Sequence, residues 1–88
     1  MRWNTPKGRR RLKKNRDKKG IAAILNNIGL IYNDQGNYPR ALEYYQNSLA
    51  IKEELGDQKG IAGGLVNIGI IYYGQGNYPR ALEYYKSR

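Results

Sequence analysis

The apolar side chains recur along the chain with the spacing of α-helices rather than of β-strands. One set stands at positions i, i+3, i+4 and i+7, which places its members on one helical face: Leu25, Ile28, Gly29 and Tyr32. A second set continues with a similar helical period: Ala41, Leu42, Tyr45 and Leu49. The polar positions between them face the other way, so the pattern predicts amphipathic helices.

Glycine and the residue that follows it predict where these helices end and begin. Gly36 and Gly76 can adopt the left-handed conformation that ends a helix, and Gly56 followed by Asp57 repeats this pattern. Asn37 or Tyr38 then caps the next helix, whose first turn accepts a proline. We therefore expect an all-α fold of about four helices, at roughly residues 18–35, 38–55, 58–75 and 78–88. The short connections make neighbouring helices antiparallel, as in helix-turn-helix repeats.

The chain contains one structural unit written nearly twice. A shift of 40 residues places Asp17–Ser48 on Asp57–Arg88 with 22 identities in 32 positions, and the ten-residue block GNYPRALEYY occurs twice unchanged. The first repeat spans residues 17–56, and the second, residues 57–88, is truncated. Stacked repeats of this kind bury their apolar faces on their neighbours, so the sequence predicts a short α-solenoid.

The repeated motif resembles the tetratricopeptide repeat. The matching residues of the first copy are Leu25, Ile28, Gly29, Tyr32, Ala41 and Tyr45, and those of the second are Leu65, Ile68, Gly69, Tyr72, Ala81 and Tyr85. We expect small Gly29 and Ala41 to let the two helices of a pair approach closely, with Tyr32 and Tyr45 filling the space beside them. The period of 40 exceeds the usual 34 of the family. Longer repeats of this kind resemble the kinesin-light-chain and G-protein-regulator-like branch and bacterial arrays.

The resemblance implies a protein-interaction scaffold that binds a peptide or a partner protein in a concave groove. In proteins of this kind the first helix of each repeat lines the groove, which here places eight residues in it: Asn26, Asn27, Leu30, Asn33, Val66, Asn67, Ile70 and Tyr73. Asn27 and Asn67 occupy equivalent positions and suit an asparagine ladder, because an amide can donate to a peptide carbonyl and accept from its N–H. The alternative is that these asparagines form local helix–helix hydrogen bonds or face water.

The composition argues against an enzyme. The 88 residues contain neither cysteine nor histidine, which removes thiolate and imidazole ligands and the commonest general base. The adjacent carboxylates Glu53 and Glu54 point in different directions on a helix, so a solvated helix end explains them better than acid–base chemistry. The glycine-rich stretches lack the spacing of a phosphate-binding loop. We therefore predict no catalytic residues, no metal site and no cofactor.

The net charge of +9 lies entirely in the first 19 residues, because the rest of the chain is neutral. This basic arm, residues 1–19, is expected to be disordered and to precede a helical body at residues 20–88. It offers an alternative function, loose binding of nucleic acid or another polyanion by counterion release. The candidate residues are Arg9, Arg10, Arg11, Lys13, Lys14 and Arg16. A solvated arm without function is the competing interpretation.

Tyrosine is the main aromatic residue of the chain, since it occurs nine times and phenylalanine is absent. We expect Tyr45 and Tyr85 to pack in the core, and Tyr44 and Tyr84, one position further round the helix, to be partly exposed. Stacking of nucleic-acid bases on these rings is the less favoured interpretation.

The sequence contains no segment near the roughly 20 apolar residues that span a membrane and no apolar stretch typical of a secretory signal. A cytoplasmic location without membrane contact is therefore the expectation. About three repeats are usually needed before such an array is stable alone. Because the second repeat is truncated, we also expect self-association through its open C-terminal end, as a symmetric dimer.

Overall fold

The protein forms four consecutive helices in a computed structural model that describes the backbone of residues 7–87 and the side chains of residues 17–87. Their order is α1 (Lys7–Asp34), α2 (Tyr38–Leu55), α3 (Gln58–Gly74) and α4 (Tyr78–Ser87). Each helix packs against the next, α1 on α2, α2 on α3 and α3 on α4. The predicted all-α fold of helix-turn-helix repeats is confirmed, and three of the four helices begin at the expected residue.

The exception is the start of α1, which lies at Lys7 instead of near residue 18. Residues 7–19 of the basic arm, expected to lack regular structure, continue the helix. Lysine, arginine and leucine have high helix propensities, and like-charge pairs on a helix cost only about 0.2–0.5 kcal/mol each. The helix propensities of these residues act against that repulsion. The division of the chain into a basic arm and a repeat body stays a prediction, and residues 1–6 lie outside the described part.

The three connections between helices are built in the same way. At the first, Gly36 has a φ of 79° and the backbone N–H of Asn37 donates to the carbonyl oxygen of Tyr32 over 2.8 Å. This is the Schellman arrangement that ends a helix with a left-handed residue. The Asn37 side chain then accepts from the backbone N–H of Arg40, so Asn37 is the N-cap of α2. The glycine stops predicted from the sequence are confirmed.

The core lies where α2 meets α3. Four buried apolar side chains form it: Ala41, Tyr45, Ile68 and Ile71. Partly buried side chains surround them: Tyr32, Tyr38, Leu42, Leu49, Tyr72 and Tyr84. The cluster of buried apolar side chains therefore joins the two repeats.

Within each repeat the paired helices approach closely at a glycine. A β-carbon on Gly29 would lie 2.7 Å from Tyr45 Cδ1 and 3.3 Å from the carbonyl oxygen of Ala41. Gly69 stands in the same relation to Tyr85 and Ala81, with the same two shortest approaches to ring and carbonyl. These contacts confirm that Gly29 and Ala41 permit a close approach that the Tyr45 ring then fills.

Polar contacts also join α1 to α2. Ser48 is buried, and its hydroxyl donates to the carbonyl oxygen of Ala22 over 2.8 Å. Further along, the Lys18 ammonium forms an ion pair of 2.6 Å with the Glu54 carboxylate on the exposed end of α2. An exposed pair of this kind contributes little stability. It nevertheless gives Glu54 a structural partner, in agreement with a solvated helix end.

The tyrosines form two equivalent stacks. Tyr44 stacks on Tyr32 with ring centroids 5.6 Å apart, and Tyr84 stacks on Tyr72 at 5.5 Å. An arginine lies over the Tyr32 ring, with Arg40 Cζ 5.8 Å from its centroid. Since one face of Tyr44 is already occupied by a protein ring, the stacks are explained by packing between paired helices. The second predicted core tyrosine, Tyr85, is only half-buried because no described helix covers the far side of α4.

Candidate binding groove

The predicted groove lies along α1 and α3. Both helices run antiparallel to α2, so they are parallel to each other, and a side-chain hydrogen bond joins them. In it, Asn67 Nδ2 donates to Asn26 Oδ1 over 3.2 Å. This bond joins the predicted groove residues Asn26 and Asn67 across the contact between α1 and α3. It fixes the register of the two helices there.

Three apolar side chains on this face are exposed to solvent. Leu30 of α1 is 47% exposed, and its equivalent in α3, Ile70, is 44% exposed. Tyr73, one turn beyond Ile70, is 59% exposed, but its ring packs edge-on against Tyr78 of α4 with centroids 5.2 Å apart, and it lines a pocket together with α4. Because Asn26, Leu30 and Asn33 stand at i, i+4 and i+7, as do their equivalents in α3, each helix presents a single stripe. The structure therefore arranges the predicted residues as two parallel stripes.

The asparagines at equivalent positions differ in their surroundings. Asn27 is exposed, whereas Asn67 is half-buried and bonded to Asn26. The local helix–helix bond considered for these amides thus exists at Asn67. A primary amide has two donor hydrogens and an acceptor oxygen, so this one bond leaves Asn67 a further N–H and its carbonyl oxygen. Polar capacity toward a ligand backbone therefore remains at both positions.

The remaining predicted groove residues, Asn33 and Val66, are half-buried members of these stripes. Val66 occupies the position equivalent to Asn26, so the second stripe carries a methyl-bearing side chain where the first carries an amide. The groove is therefore more polar along α1 than along α3.

A concave pocket of about 280 Å³ closes one end of the groove. Its lining comes from α1, from the end of α2 and from the cap of α3: Lys19, Ala22, Ala23, Asn26, Asn27, Lys52, Leu55 and Asp57. Asp57 Oδ1 accepts from the backbone N–H of Gly60 over 3.0 Å and so is held in the helix cap. Two ammonium groups against one carboxylate leave this end of the groove positive.

Sequence reasoning missed the lysines of this pocket. Lys19 continues the groove stripe, because residues 19, 23 and 26 are spaced i, i+4 and i+7, so its place was visible in the sequence. Lys52 is different, since it lies on the other helix of the repeat and only the packing of α2 brings it to the pocket.

The candidate polyanion-binding residues lie in the first part of α1, whose backbone alone is described there. Within the part of the chain that has described side chains, no cluster of three or more acidic side chains, histidines or cysteines is arranged to hold a metal ion. None of the described helices is both long enough and apolar enough to cross a membrane.

The chain matches a protein-family model. The family model described as "Tetratricopeptide repeat" matches residues 20–87, which include nearly all of both repeats. No curated protein and no solved structure matches the chain. The matched range begins directly after the basic arm, at Gly20.

Proposed function

Since the chain belongs to the tetratricopeptide-repeat family, whose repeats generally mediate protein–protein interactions and typically act as non-enzymatic scaffolds, we propose that its groove holds a segment of a partner protein. The segment is an extended peptide or a helix that lies along α1 and α3. The observation that carries the proposal is the exposure of Leu30 and Ile70, which occupy equivalent positions of α1 and α3 next to the Asn67–Asn26 hydrogen bond.

The chemistry of the groove supports such a ligand. Exposed apolar side chains grouped on one surface are typical of interaction sites, whereas apolar side chains scattered singly over a surface are not. Between them, the amides of Asn27 and Asn67 can hydrogen-bond both the N–H and the C=O groups of a ligand backbone. Apolar anchors beside backbone-binding amides favour a peptide over a small polar metabolite.

The pocket at the end of the groove supports a preference within that class. Lys19 and Lys52 line it together with the capping carboxylate of Asp57. A peptide with an acidic side chain or a terminal carboxylate at this end gains a charge-assisted contact. We therefore propose that the preferred segment is apolar along most of its length and acidic at one end.

The test is selection from a random-peptide display library on the full 88-residue chain, followed by calorimetric titration of the selected peptides. Leu30→Glu places a charge in the groove, whereas Ile31→Glu places the same charge on the neighbouring position of the same helix, about 100° away. Both side chains are about half exposed, at 47% and 55%, so the variants are well matched.

We expect Leu30→Glu to weaken peptide binding by about tenfold or more, because the contact of one apolar side chain is lost. Ile31→Glu should leave the affinity unchanged, and Lys52→Gln should weaken only peptides with an acidic end. Selected peptides that bind the Leu30→Glu variant as tightly as the parent chain would show that they use another surface.

A second candidate function rests on the basic arm. All of the excess charge lies in residues 1–19, and the helix α1 begins within them, at Lys7. A helical segment with a large excess of positive charge attracts nucleic acid or another polyanion, because binding releases condensed counterions. Such binding does not depend on the nucleotide sequence. The two functions share Lys19 but otherwise use separate parts of the chain, so substitutions between Arg9 and Arg16 separate them by experiment.

A further inference from the structure

The molecule exposes an apolar face at each end of its helical stack. On α1, Ile24 and Ile31 are 59% and 55% exposed. On α4, Tyr78 and Leu82 are 59% and 53% exposed and line an apolar pocket of about 240 Å³. Exposed side chains of this size, grouped on two separate faces, are more than a folded chain needs on its surface.

The internal repeat shows what the α1 face is built to contact. Ile31 is equivalent to Ile71 of α3, which is completely buried against α2. Ile24 is equivalent to Gly64, which is buried beside Leu49 of α2. The exposed face of α1 thus corresponds to the face with which α3 packs on the preceding helix.

The α4 face corresponds to the other side of that same interface. Tyr78 and Leu82 are equivalent to Tyr38 and Leu42 of α2, which are partly buried against the core between α2 and α3. The sequences of α2 and α4 are identical from Tyr38 to Tyr45 and from Tyr78 to Tyr85. The chain therefore contains one buried interface together with an exposed copy of each of its two halves.

We propose that the 88-residue chain associates head to tail, with the α1 face of one copy packed on the α4 face of the next. The occupant of each exposed face is thus a second copy of the chain, in a contact that reproduces the one between α2 and α3. Since the two faces that meet are different, an α1 face stays exposed at one end of the assembly and an α4 face at the other. It extends the stack with every added copy, whereas the symmetric dimer expected from the sequence uses only the C-terminal end.

Two residues of the α1 face differ from their equivalents in α3. The first is Ile24, whose equivalent Gly64 lies under Leu49 of α2. Ile24 is larger than Gly64 and therefore needs more room on the face that it meets.

The second difference weakens the contact. Gly74 makes room for the Tyr38 ring, since a β-carbon on this glycine would lie 3.0 Å from Tyr38 Oη and 3.1 Å from Tyr38 Cζ. The equivalent residue of α1 is Asp34, which would meet the ring of Tyr78 in the next copy. The Asp34 side chain must therefore turn aside for the two faces to close.

The test is sedimentation velocity of the full chain over a wide range of concentrations at moderate salt. The average mass should rise continuously with concentration instead of levelling off at a dimer. Ile31→Glu blocks the α1 face and Leu82→Glu blocks the α4 face, and each variant alone should remain monomeric. Leu30→Glu, which changes the groove, is the matched control and should associate like the parent chain. Circular dichroism of each variant verifies that its helices are intact.

An equimolar mixture of Ile31→Glu and Leu82→Glu separates the possibilities. Each variant retains the face that the other has lost, so the mixture should form a dimer of one copy of each and nothing larger. Asp34→Gly should tighten association of the otherwise unchanged chain by several-fold, because it restores the glycine that accommodates the tyrosine ring. The proposal would be overturned by a parent chain that is monomeric at all concentrations. It would also be overturned by an Ile31→Glu variant that associates as strongly as the parent does.

Discussion

The aromatic ring of Tyr45 lies directly on the backbone of Gly29, so close that a β-carbon on this glycine would come within 2.7 Å of the ring. Gly69 and Tyr85 repeat the relationship in the second half of the chain at the same distance. The two sites differ in what lies behind the ring, because Tyr45 is only 3% exposed whereas Tyr85 is half-buried. The contact between glycine and tyrosine is therefore enclosed by protein in the first repeat, whereas in the second repeat one side of the tyrosine ring faces solvent.

This difference predicts unequal effects of the same substitution. Gly29→Ala should destabilise the chain by about 1–3 kcal/mol, because the buried Tyr45 ring has no space into which to move. Gly69→Ala should cost less, because Tyr85 can shift toward solvent. The gain of about 1 kcal/mol in helix propensity is common to both variants. Denaturant unfolding of the two variants checks the order. Equal losses would mean that the ring at the end of the stack is held as firmly as the one in the middle.

The adjacent glycines of α3 offer a second matched pair. The sequence alone predicts that alanine at either Gly63 or Gly64 raises the melting temperature, because glycine is unfavourable inside a helix. In the structure a β-carbon on Gly63 meets nothing within 4 Å, whereas one on Gly64 lies 3.1 Å from Leu49 Cδ1. We expect Gly63→Ala to stabilise the chain by about 0.5–1 kcal/mol.

Gly64→Ala has the same gain in helix propensity, but the end of the Leu49 side chain must move to accommodate it. Its net stabilisation should therefore be smaller than that of Gly63→Ala or absent. Thermal melting followed by circular dichroism compares the two. A larger rise for Gly64→Ala than for Gly63→Ala would show that α2 and α3 pack less tightly in solution than in the structure.

Alkaline pH should destabilise the fold through Tyr45. Burial, with a smaller effect from the Asp34 carboxylate, raises the pKa of the Tyr45 hydroxyl above its ordinary value of 10.0. The folded chain therefore holds this proton more tightly than the unfolded chain. The resulting stability is fully present below about pH 10 and is lost as the pH rises through the folded-state pKa.

Tyr45→Phe removes this group and should reduce the decline of the unfolding free energy above about pH 10. Tyr78→Phe is the control, since Tyr78 is 59% exposed. Denaturant unfolding at several pH values measures both variants against the parent. If the two variants show the same dependence on pH, Tyr45 does not carry the effect.

The basic arm predicts salt-dependent binding of nucleic acid. For the triple variant with Arg9, Arg10 and Arg11 replaced by glutamine, the slope of log affinity against log salt should fall by up to about 2 for a single-stranded oligonucleotide. The matched control replaces Lys59, Arg80 and Lys86, three exposed basic residues of the neutral body, and should leave the slope nearly unchanged. Fluorescence anisotropy of a labelled oligonucleotide measures it. An equal fall in both variants would place the binding on the body instead.

The alignment of the predicted groove residues along α1 and α3 could be anticipated because it depends on helical spacing, whereas their role in binding stays a prediction. The position of Leu30 between Asn26 and Asn33 follows from the period of a single helix, and the repeat transfers that position to Ile70. A helix–helix hydrogen bond of Asn67 was one of the alternatives from the sequence, but its partner Asn26 could not be anticipated, since it depends on how far α3 is displaced along α1. The contribution of Lys52 to the pocket depends in the same way on where α2 ends.

The sequence by itself determined the helices, their order and their turns, because these depend on neighbours a few residues apart: apolar period, glycine after the last turn, and a capping side chain. It also determined the family, since the repeated motif encodes the approach of Gly29 to Tyr45. Only the tertiary structure decided how the two equivalent halves differ. Ile31 and Ile71 occupy equivalent positions of the two repeats. Ile31 is exposed and Ile71 is buried, because burial depends on which helix lies alongside. That neighbour is α2 for Ile71, and no described helix covers Ile31.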